Sequence, residues 1–190
     1  MPAHLYLLRH GATEWSELGK HTSRTDLPLI ALGERQAAAW QPELARRTFA
    51  RVLTSPLLRA RKTAELAGFA DAIPTPLLTE VDYGRDEGRT RDEIRAERPG
   101  WDFFTHGGDG GETLDHAAAR ARQLFDELAG EAGDVLLVSH GHFLRVLTAT
   151  YLGAAPAWGG HLAIGAGTVS ILGDEHRVPA IASWNLSAPR

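Results

Sequence analysis

The apolar run Asp134 to Val138 constrains the fold more than any other stretch of the chain. Val135-Leu136-Leu137-Val138 lacks the alternation of a half-exposed strand, so it reads as a strand buried on both faces. A strand of that kind needs helices above and below its sheet. Strand-like and helix-like segments do alternate along the chain, without an internal repeat or a low-complexity linker, and this argues α/β. A second apolar run, His4 to Leu8, reads as another buried strand, ending at Arg9. At 190 residues and 43% hydrophobic, the chain can bury a sizeable core without disulfide or structural metal, and a single domain over 1–190 is expected.

Taken in order, the sequence supplies the other layers. Ser16 to Leu32 is polar and irregular, with Gly19, His21, Thr22, Ser23, Arg24 and Asp26 before Pro28, and is expected as a loop lying over the strand ends. Gly33 to Phe49 places Ala37, Trp40 and Leu44 on one helical face, and Arg51 to Ser55 is a short strand. Ser55-Pro56 carries the favoured N-cap and N1 residues, so a helix is expected to start there with Arg59 in its first turn. Thr75 to Glu80 reads as a third short strand running into Val81-Asp82-Tyr83-Gly84. Arg85 to Gly111 is charged, then aromatic at Trp101, Phe103 and Phe104, then Gly-rich, which suits a lid or shoulder. A long helix, Thr113 to Gly130, follows with an apolar stripe of Leu114, Ala117, Ala121, Leu124, Phe125 and Leu128. An apolar helix after the Asp134 strand ends near Gly153. Behind the Gly-rich stretch 159–167, Thr168 to Leu172 and Val178 to Trp184 form two further strands.

Open α/β sheets gather their chemistry at the C-terminal ends of strands. Here those ends present Arg9-His10, Arg59, Glu80 and His140, with Gly11 letting the backbone turn closely around a ligand. Each residue alone has a plain structural explanation: Arg9 pairs with a carboxylate, His10 caps a helix, Arg59 and Glu80 are solvated, His140 meets a backbone carbonyl. Together they suit phosphoryl transfer through a phosphohistidine. A neutral imidazole attacks phosphorus in line, two guanidiniums and a second, protonated imidazole hold the equatorial oxygens, and a carboxylic acid protonates the leaving oxygen.

Composition narrows the partner. With 20 basic against 24 acidic residues there is no electrostatic footprint for nucleic acid or an anionic membrane. All the basic residues but Lys20 and Lys62 are Arg, so an Arg is informative only by its position. The absence of Cys excludes thiol nucleophiles and thiolate metal sites. No secretory leader pattern opens the chain and no apolar run approaches the ~18 residues of a membrane helix, so a cytoplasmic protein acting on a small solute is expected, its oligomeric state open.

R-H-G at 9–11, S-P-L-L-R-A-R-K-T-A at 55–64, the E-V-D-Y-G and E-G segments within 80–88, and S-H-G at 139–141 resemble, in order and spacing, the histidine phosphatase superfamily, also called phosphoglycerate-mutase-like. The resemblance covers nearly the whole chain. It implies a three-layer α/β/α sandwich around a mixed, mostly parallel six-stranded sheet. It also implies His10 as the phosphorylated nucleophile, Arg9, Arg59 and His140 as the phosphate pocket, and Glu80 as the general acid. Carried over in the same way, the substrate-contacting positions are Arg9, Thr13, Ser16, Thr22, Ser23, Arg59, Tyr83, Gly141 and His142, with no metal and no cofactor. Thr13 to Ser16, Gly19 to Thr22, Thr25 to Leu29 and Gly110 to Thr113 are similar to the branch that holds sugar bisphosphatases such as sedoheptulose-bisphosphatase-like proteins. Ser16 stands where Asn is common in the family, and His106 with Asp109 replaces the pattern expected before the Gly pair.

The expected activity is therefore hydrolysis of a small phosphorylated metabolite, sugar bisphosphates leading. Lys20, Arg24, Arg85 and Arg89 are candidates for a second positive cluster that would favour a bisphosphate, or are solvated surface charges. Three rivals stand beside this. A cofactor-dependent phosphoglycerate mutase shares the first half-reaction, but that branch usually carries an insertion and a shielding tail, and this chain stops soon after Trp184. A non-catalytic phosphate-binding module would need the Arg pair but not Glu80. A metal hydrolase would use His140-x-His142, yet no carboxylate triad accompanies that pair.

Overall fold

In the computed structural model, which describes residues 2–189, alternate side chains of the central strands leave the sheet in opposite directions and build two cores. Met1 and Arg190, the ends of the expected domain, lie outside the described residues. The elements are β1 (Leu5–Arg9), α1 (Glu14–Glu17), α2 (Ala31–Ala38), α3 (Gln41–Leu44), β2 (Phe49–Thr54), α4 (Leu58–Leu66) and β3 (Ile73–Pro74). A 3₁₀ turn at Pro76–Leu78 and another at Gly84–Asp86 lead to α5 (Arg91–Glu97), α6 (Phe103–His106) and α7 (Leu114–Glu127). β4 (Asp134–Ser139), α8 (Gly141–Tyr151), a 3₁₀ segment at Pro156–His161, β5 (Val169–Glu175) and β6 (Val178–Leu186) complete the order.

The sheet has six strands in the order β3-β2-β4-β1-β5-β6. β3, β2, β4 and β1 run parallel, while β5 and β6 join antiparallel to β1 and to each other, so the sheet is mixed as expected. Leu5 and Leu7 of β1, with Val135 and Leu137 of β4, face a core shared with Ala121 and Leu124 of α7 and Phe143, Leu144 and Leu147 of α8. Tyr6 and Leu8, with Leu136 and Val138, face Trp40, Leu44, Ala60 and Ala64 of the segment from α2 to α4. Helices thus cover both faces, giving the three-layer α/β/α sandwich. Among the described residues no helix is long and apolar enough to cross a membrane.

Four expectations about local structure are corrected. The helix expected over Gly33 to Phe49 is two short helices, because Pro42 in the first turn of α3 has no N–H for the carbonyl one turn back, and Phe49 already belongs to β2. The helix expected from Ser55-Pro56 starts at Leu58 without a side-chain cap from its own N-cap residue, and Asp26 instead accepts from the Leu58 N–H at 2.8 Å. The strand expected over Thr75 to Glu80 is reduced to Ile73–Pro74 and a 3₁₀ turn, since Pro74 and Pro76 cannot donate to a ladder. The loop expected over 16–32 overlaps α1 and the start of α2, and Thr13 caps α1 in a reciprocal box with Ser16.

Candidate active site

The parallel register of β1 and β4 creates the centre of the site. Arg9 pairs with Ser139, so His10 and His140, each the next residue along its strand, emerge side by side with ring centroids 5.1 Å apart. The His10 N–H donates to the Ser139 carbonyl at 2.9 Å, which locks the two ends together. Beyond His10 the chain turns at Gly11, where a Cβ would meet the Gly33 carbonyl oxygen at 2.2 Å; a Cβ on Gly33 would meet that of Ala12 at 2.1 Å. The loop after β1 therefore lies directly on the backbone of α2, and the Gly11 N–H donates to Thr63 of α4 at 3.0 Å.

Hydrogen bonding sets the protonation state of His10. Its Nδ1 lies 2.8 Å from the Gly11 carbonyl oxygen, which only accepts, so Nδ1 carries the proton and Nε2 keeps its lone pair. Burial, followed by the charges of Arg59 and Arg9, pushes the ring well below its usual 6.5, so the imidazole is neutral. Arg9 donates through Nη1 to the Ile164 carbonyl at 2.6 Å, while its buried Nε has no protein partner. A buried guanidinium N–H without an acceptor, on the residue next to an imidazole with a free lone pair, suits an anion.

His140 differs from expectation. Arg59 Nε donates to its Nδ1 at 3.2 Å, so that nitrogen is unprotonated, and its Nε2 lies 2.8 Å from the Ser55 hydroxyl. Burial and then Arg59 drive its pKa well below 6.5. The second imidazole is therefore neutral rather than protonated, first because it is fully buried and then because the Arg59 guanidinium stands beside it. Arg59 is fully buried, and its remaining N–H groups reach the carbonyls of Thr25, Thr22 and Ser23 at 3.1 to 3.3 Å.

Glu80 approaches from the opposite wall. Its Oε1 accepts from the Val81 and Phe143 N–H groups at 3.0 and 2.8 Å, and Oε2 accepts from His142 N–H at 3.1 Å. The carboxyl thus sits at the N-terminus of α8, where amides are free to donate. The Tyr83 hydroxyl and His142 Nδ1 lie 2.5 Å apart in a hydrogen bond; burial and then Glu80 push that phenol well above 10, keeping it protonated.

These groups surround a cleft of about 180 Å³. Of the residues expected from the sequence, Arg9, His10, Glu80, Thr13 and Ser16 line it, as do Thr22, Tyr83, Gly141 and His142. Arg59 and His140 are fully buried and do not line it. Ser23 also lies outside the lining: its hydroxyl donates to Glu87 at 2.5 Å and its backbone N–H to the same carboxylate at 2.9 Å. His140 and His142 are turned to different partners, Arg59 with Ser55 and Tyr83 respectively, and among the described residues no three His, Asp or Glu converge as a metal site.

The second positive cluster does not form. Arg24 pairs with Asp82, Arg85 with Asp109 at 2.8 Å, and Arg89 with Glu97 at 2.6 Å, leaving Lys20 as the one member of that set lining the cleft. Sequence reasoning missed Ser55, His21, Ile164 and Arg145. Arg145 was the one with a legible signal, since it falls one turn into the helix that follows Ser139-His140-Gly141. The 85–111 stretch is a shoulder that acts at one remove: Phe103 stacks on His142 at 4.3 Å, and the Arg89 carbonyl holds His21 Nδ1 at 2.9 Å. His106 is exposed at the end of α6 and takes no part.

Comparison with known proteins agrees with this geometry. Residues 5–187 match the histidine phosphatase superfamily (branch 1). An acid phosphatase of Mycobacterium tuberculosis is 37% identical over 194 aligned residues, spanning 96% of this chain and 92% of that protein. The sedoheptulose 1,7-bisphosphatase of Saccharomyces cerevisiae is 33% identical over 181 residues, spanning 77% of this chain and 66% of that one. A solved mycobacterial glucosyl-3-phosphoglycerate phosphatase, in complex with VO3, is 30% identical with a TM-score of 0.88 and covers 97% of this chain and 100% of its own. With a family match that runs from the first strand to the last, the chain belongs to the histidine phosphatase superfamily, branch 1.

Proposed function

We propose that this protein is a phosphatase that hydrolyses a small phosphorylated metabolite through a phosphohistidine on His10. The observation that supports it most is the tautomer of His10, whose Nδ1 is held by the Gly11 carbonyl so that Nε2 keeps its lone pair, in a cleft also lined by Arg9 with its unpartnered Nε. His10 Nε2 attacks phosphorus in line, forming the N–P bond as the P–O bond to the leaving group breaks. Arg9 holds the phosphoryl oxygens, and Arg59 and the neutral His140 join it by exchanging their carbonyl and Ser55 contacts for phosphate. Glu80 gives its proton to the departing alkoxide; Oε2, which accepts one amide where Oε1 accepts two, is the oxygen placed to carry it. Water then attacks phosphorus while Glu80 takes back a proton, and the N–P bond breaks to release inorganic phosphate. No divalent ion enters these steps, because the guanidiniums supply the positive charge.

Sugar bisphosphates are the leading substrate class, by likeness to the yeast relative. Lys20 and Arg145, both lining the cleft beyond His10, supply positive charge for a second anionic group. The test is acid-labile, base-stable phosphate trapped on the protein during turnover and mapped to His10. It is run beside a panel of phosphorylated metabolites assayed for phosphate release in excess chelator. Phosphate on Ser, Asp or another His, or a strict need for Mg²⁺ or Zn²⁺, overturns the mechanism. Comparable weak rates on all substrates overturn the bisphosphate class, and fast 3-phosphoglycerate isomerisation without phosphate release makes the protein a mutase.

A further inference from the structure

Glu80 has no regular element to hold it in place. It follows a 3₁₀ turn rather than a strand, and besides the cleft it also borders a second cavity of about 550 Å³. Three consecutive carbonyls that precede it are instead held by side chains. Ser139 donates to Leu78 O at 2.7 Å, and one nitrogen of Arg120, Nη1, donates to Leu77 O at 2.9 Å and Thr79 O at 3.1 Å.

Arg120 projects from α7, and its other nitrogens are fixed by Glu112. Nε donates to Oε1 at 2.7 Å and Nη2 to Oε2 at 2.8 Å, the two-pronged geometry that orients a guanidinium in one plane. Burial raises the Glu112 pKa, but Arg120 and then His116 outweigh it, so the carboxyl stays below its usual value and remains charged. The guanidinium also lies 4.3 Å from the ring centre of Phe143. Phe143 is itself the residue whose N–H donates to Glu80 Oε1 at 2.8 Å. Arg120 therefore touches both supports of Glu80: the 3₁₀ turn and carbonyls that lead into it and the helix N-terminus that receives it.

We propose that Arg120, clamped by Glu112, is the positioning residue for Glu80, and that it acts on the proton transfer without touching substrate. The inference rests on the role of Glu80 proposed above. Misplacement of a reacting group by about 1 Å costs on the order of 10² in rate, and only substrates whose leaving group needs a proton should feel it. Arg120→Met keeps a straight apolar chain against Phe143 and removes the carbonyl clamps.

The experiment measures kcat and KM for glycerol phosphate, an alkyl ester, and p-nitrophenyl phosphate, an aryl ester, in wild type, Arg120→Met, Glu80→Gln and the double variant. Thermal melting is followed in each. Arg120→Met is expected to lower kcat on the alkyl ester by about 10- to 100-fold. On the aryl ester the loss should be less than about threefold, with KM little changed. In the Glu80→Gln background Arg120→Met should add less than about threefold, because two residues acting through one group are not additive. Equal losses on both esters, full additivity, or no loss overturns the proposal. Should Arg120→Met fail to fold, Glu112→Gln, which keeps the guanidinium but weakens its clamp, is read by the same contrast and the same cycle. An alkyl-to-aryl contrast in Glu80→Gln but not at Arg120 or Glu112 defeats this inference alone, whereas its absence in Glu80→Gln defeats the acid assignment and this inference with it.

Discussion

The two walls of the cleft are built in different ways. The His10 wall is a product of strand register: Arg9 and Ser139 are paired across β1 and β4, and everything one residue further on is placed by that pairing. The Glu80 wall is sewn together by side chains bonding to backbone, with Arg120 and Ser139 on carbonyls 77 to 79. A ladder distributes its hold over many backbone bonds, whereas a clamp concentrates it in one side chain. Single substitutions should therefore act on the first wall through chemistry or backbone contact, and on the second through position.

The largest expected effect is on the first wall. His10→Ala should reduce phosphate release to background on alkyl and aryl esters alike, with the circular dichroism spectrum unchanged. A residual rate that still passes through a trapped phosphoenzyme would remove His10 as nucleophile. Arg59→Ala is expected to lower kcat/KM by on the order of 10² to 10³. Full activity in that variant would mean that its three carbonyl contacts, and not phosphate, are its task.

Gly33→Ala tests the backbone contact directly. Its Cβ would stand 2.1 Å from the Ala12 carbonyl oxygen, and relieving such overpacking costs about 1–3 kcal/mol. That corresponds to a fall in Tm of roughly 2–12 °C for a chain of this size. An unchanged Tm would show that the loop after His10 can lift away from α2 at no cost.

Acidification acts on both walls through their buried histidines. His10 and His140 have pKa values pushed well below 6.5 by burial and then by Arg59, and His142 by burial and then by Arg145. Between those depressed values and 6.5 the unfolded chain binds protons that the folded chain refuses. The contribution is therefore complete above pH 6.5 and is lost as pH falls below it, by about 1.4 kcal/mol per pH unit for each imidazole. Urea denaturation between pH 7.5 and 5 reads this slope, and His140→Phe should make it shallower. A stability that does not change over that range would mean the rings are protonated in the folded state.

The smallest effect is reserved for the outer loops. Arg85 and Asp109 form an exposed pair, and Arg85→Ala should change kcat/KM by less than about twofold. A larger change would restore Arg85 to a substrate-binding cluster that its pairing denies it.

How far the sequence carries can be judged residue by residue. The uninterrupted run 135–138 required a strand covered on both faces, and with the strand ending at Arg9 it located the His10 wall before any coordinates. Ser55 was legible as a residue but not as a role, because the favoured Ser-Pro helix start is a local rule and the hydroxyl is engaged by His140 from another strand. Thr75 to Glu80 misled for a similar reason: its pattern suits a strand, while the pairing with β2 ends once Thr75 has donated to Thr54 and Pro76 has no N–H to continue it.

The sequence by itself determined the alternation of strands and helices, the burial of β1 and β4, and the residue types gathered at their ends, since these follow from periodicity and composition within short windows. Only the tertiary structure decided which nitrogen of each histidine carries a proton, which loop cations are neutralised, and what holds Glu80 in place. Each of these depends on a partner distant in the chain: Arg59 for His140, Asp109 for Arg85, and Arg120 for the backbone before Glu80. A hydrogen bond between such residues leaves no period in the sequence, because its geometry exists only once the sheet has brought the segments together.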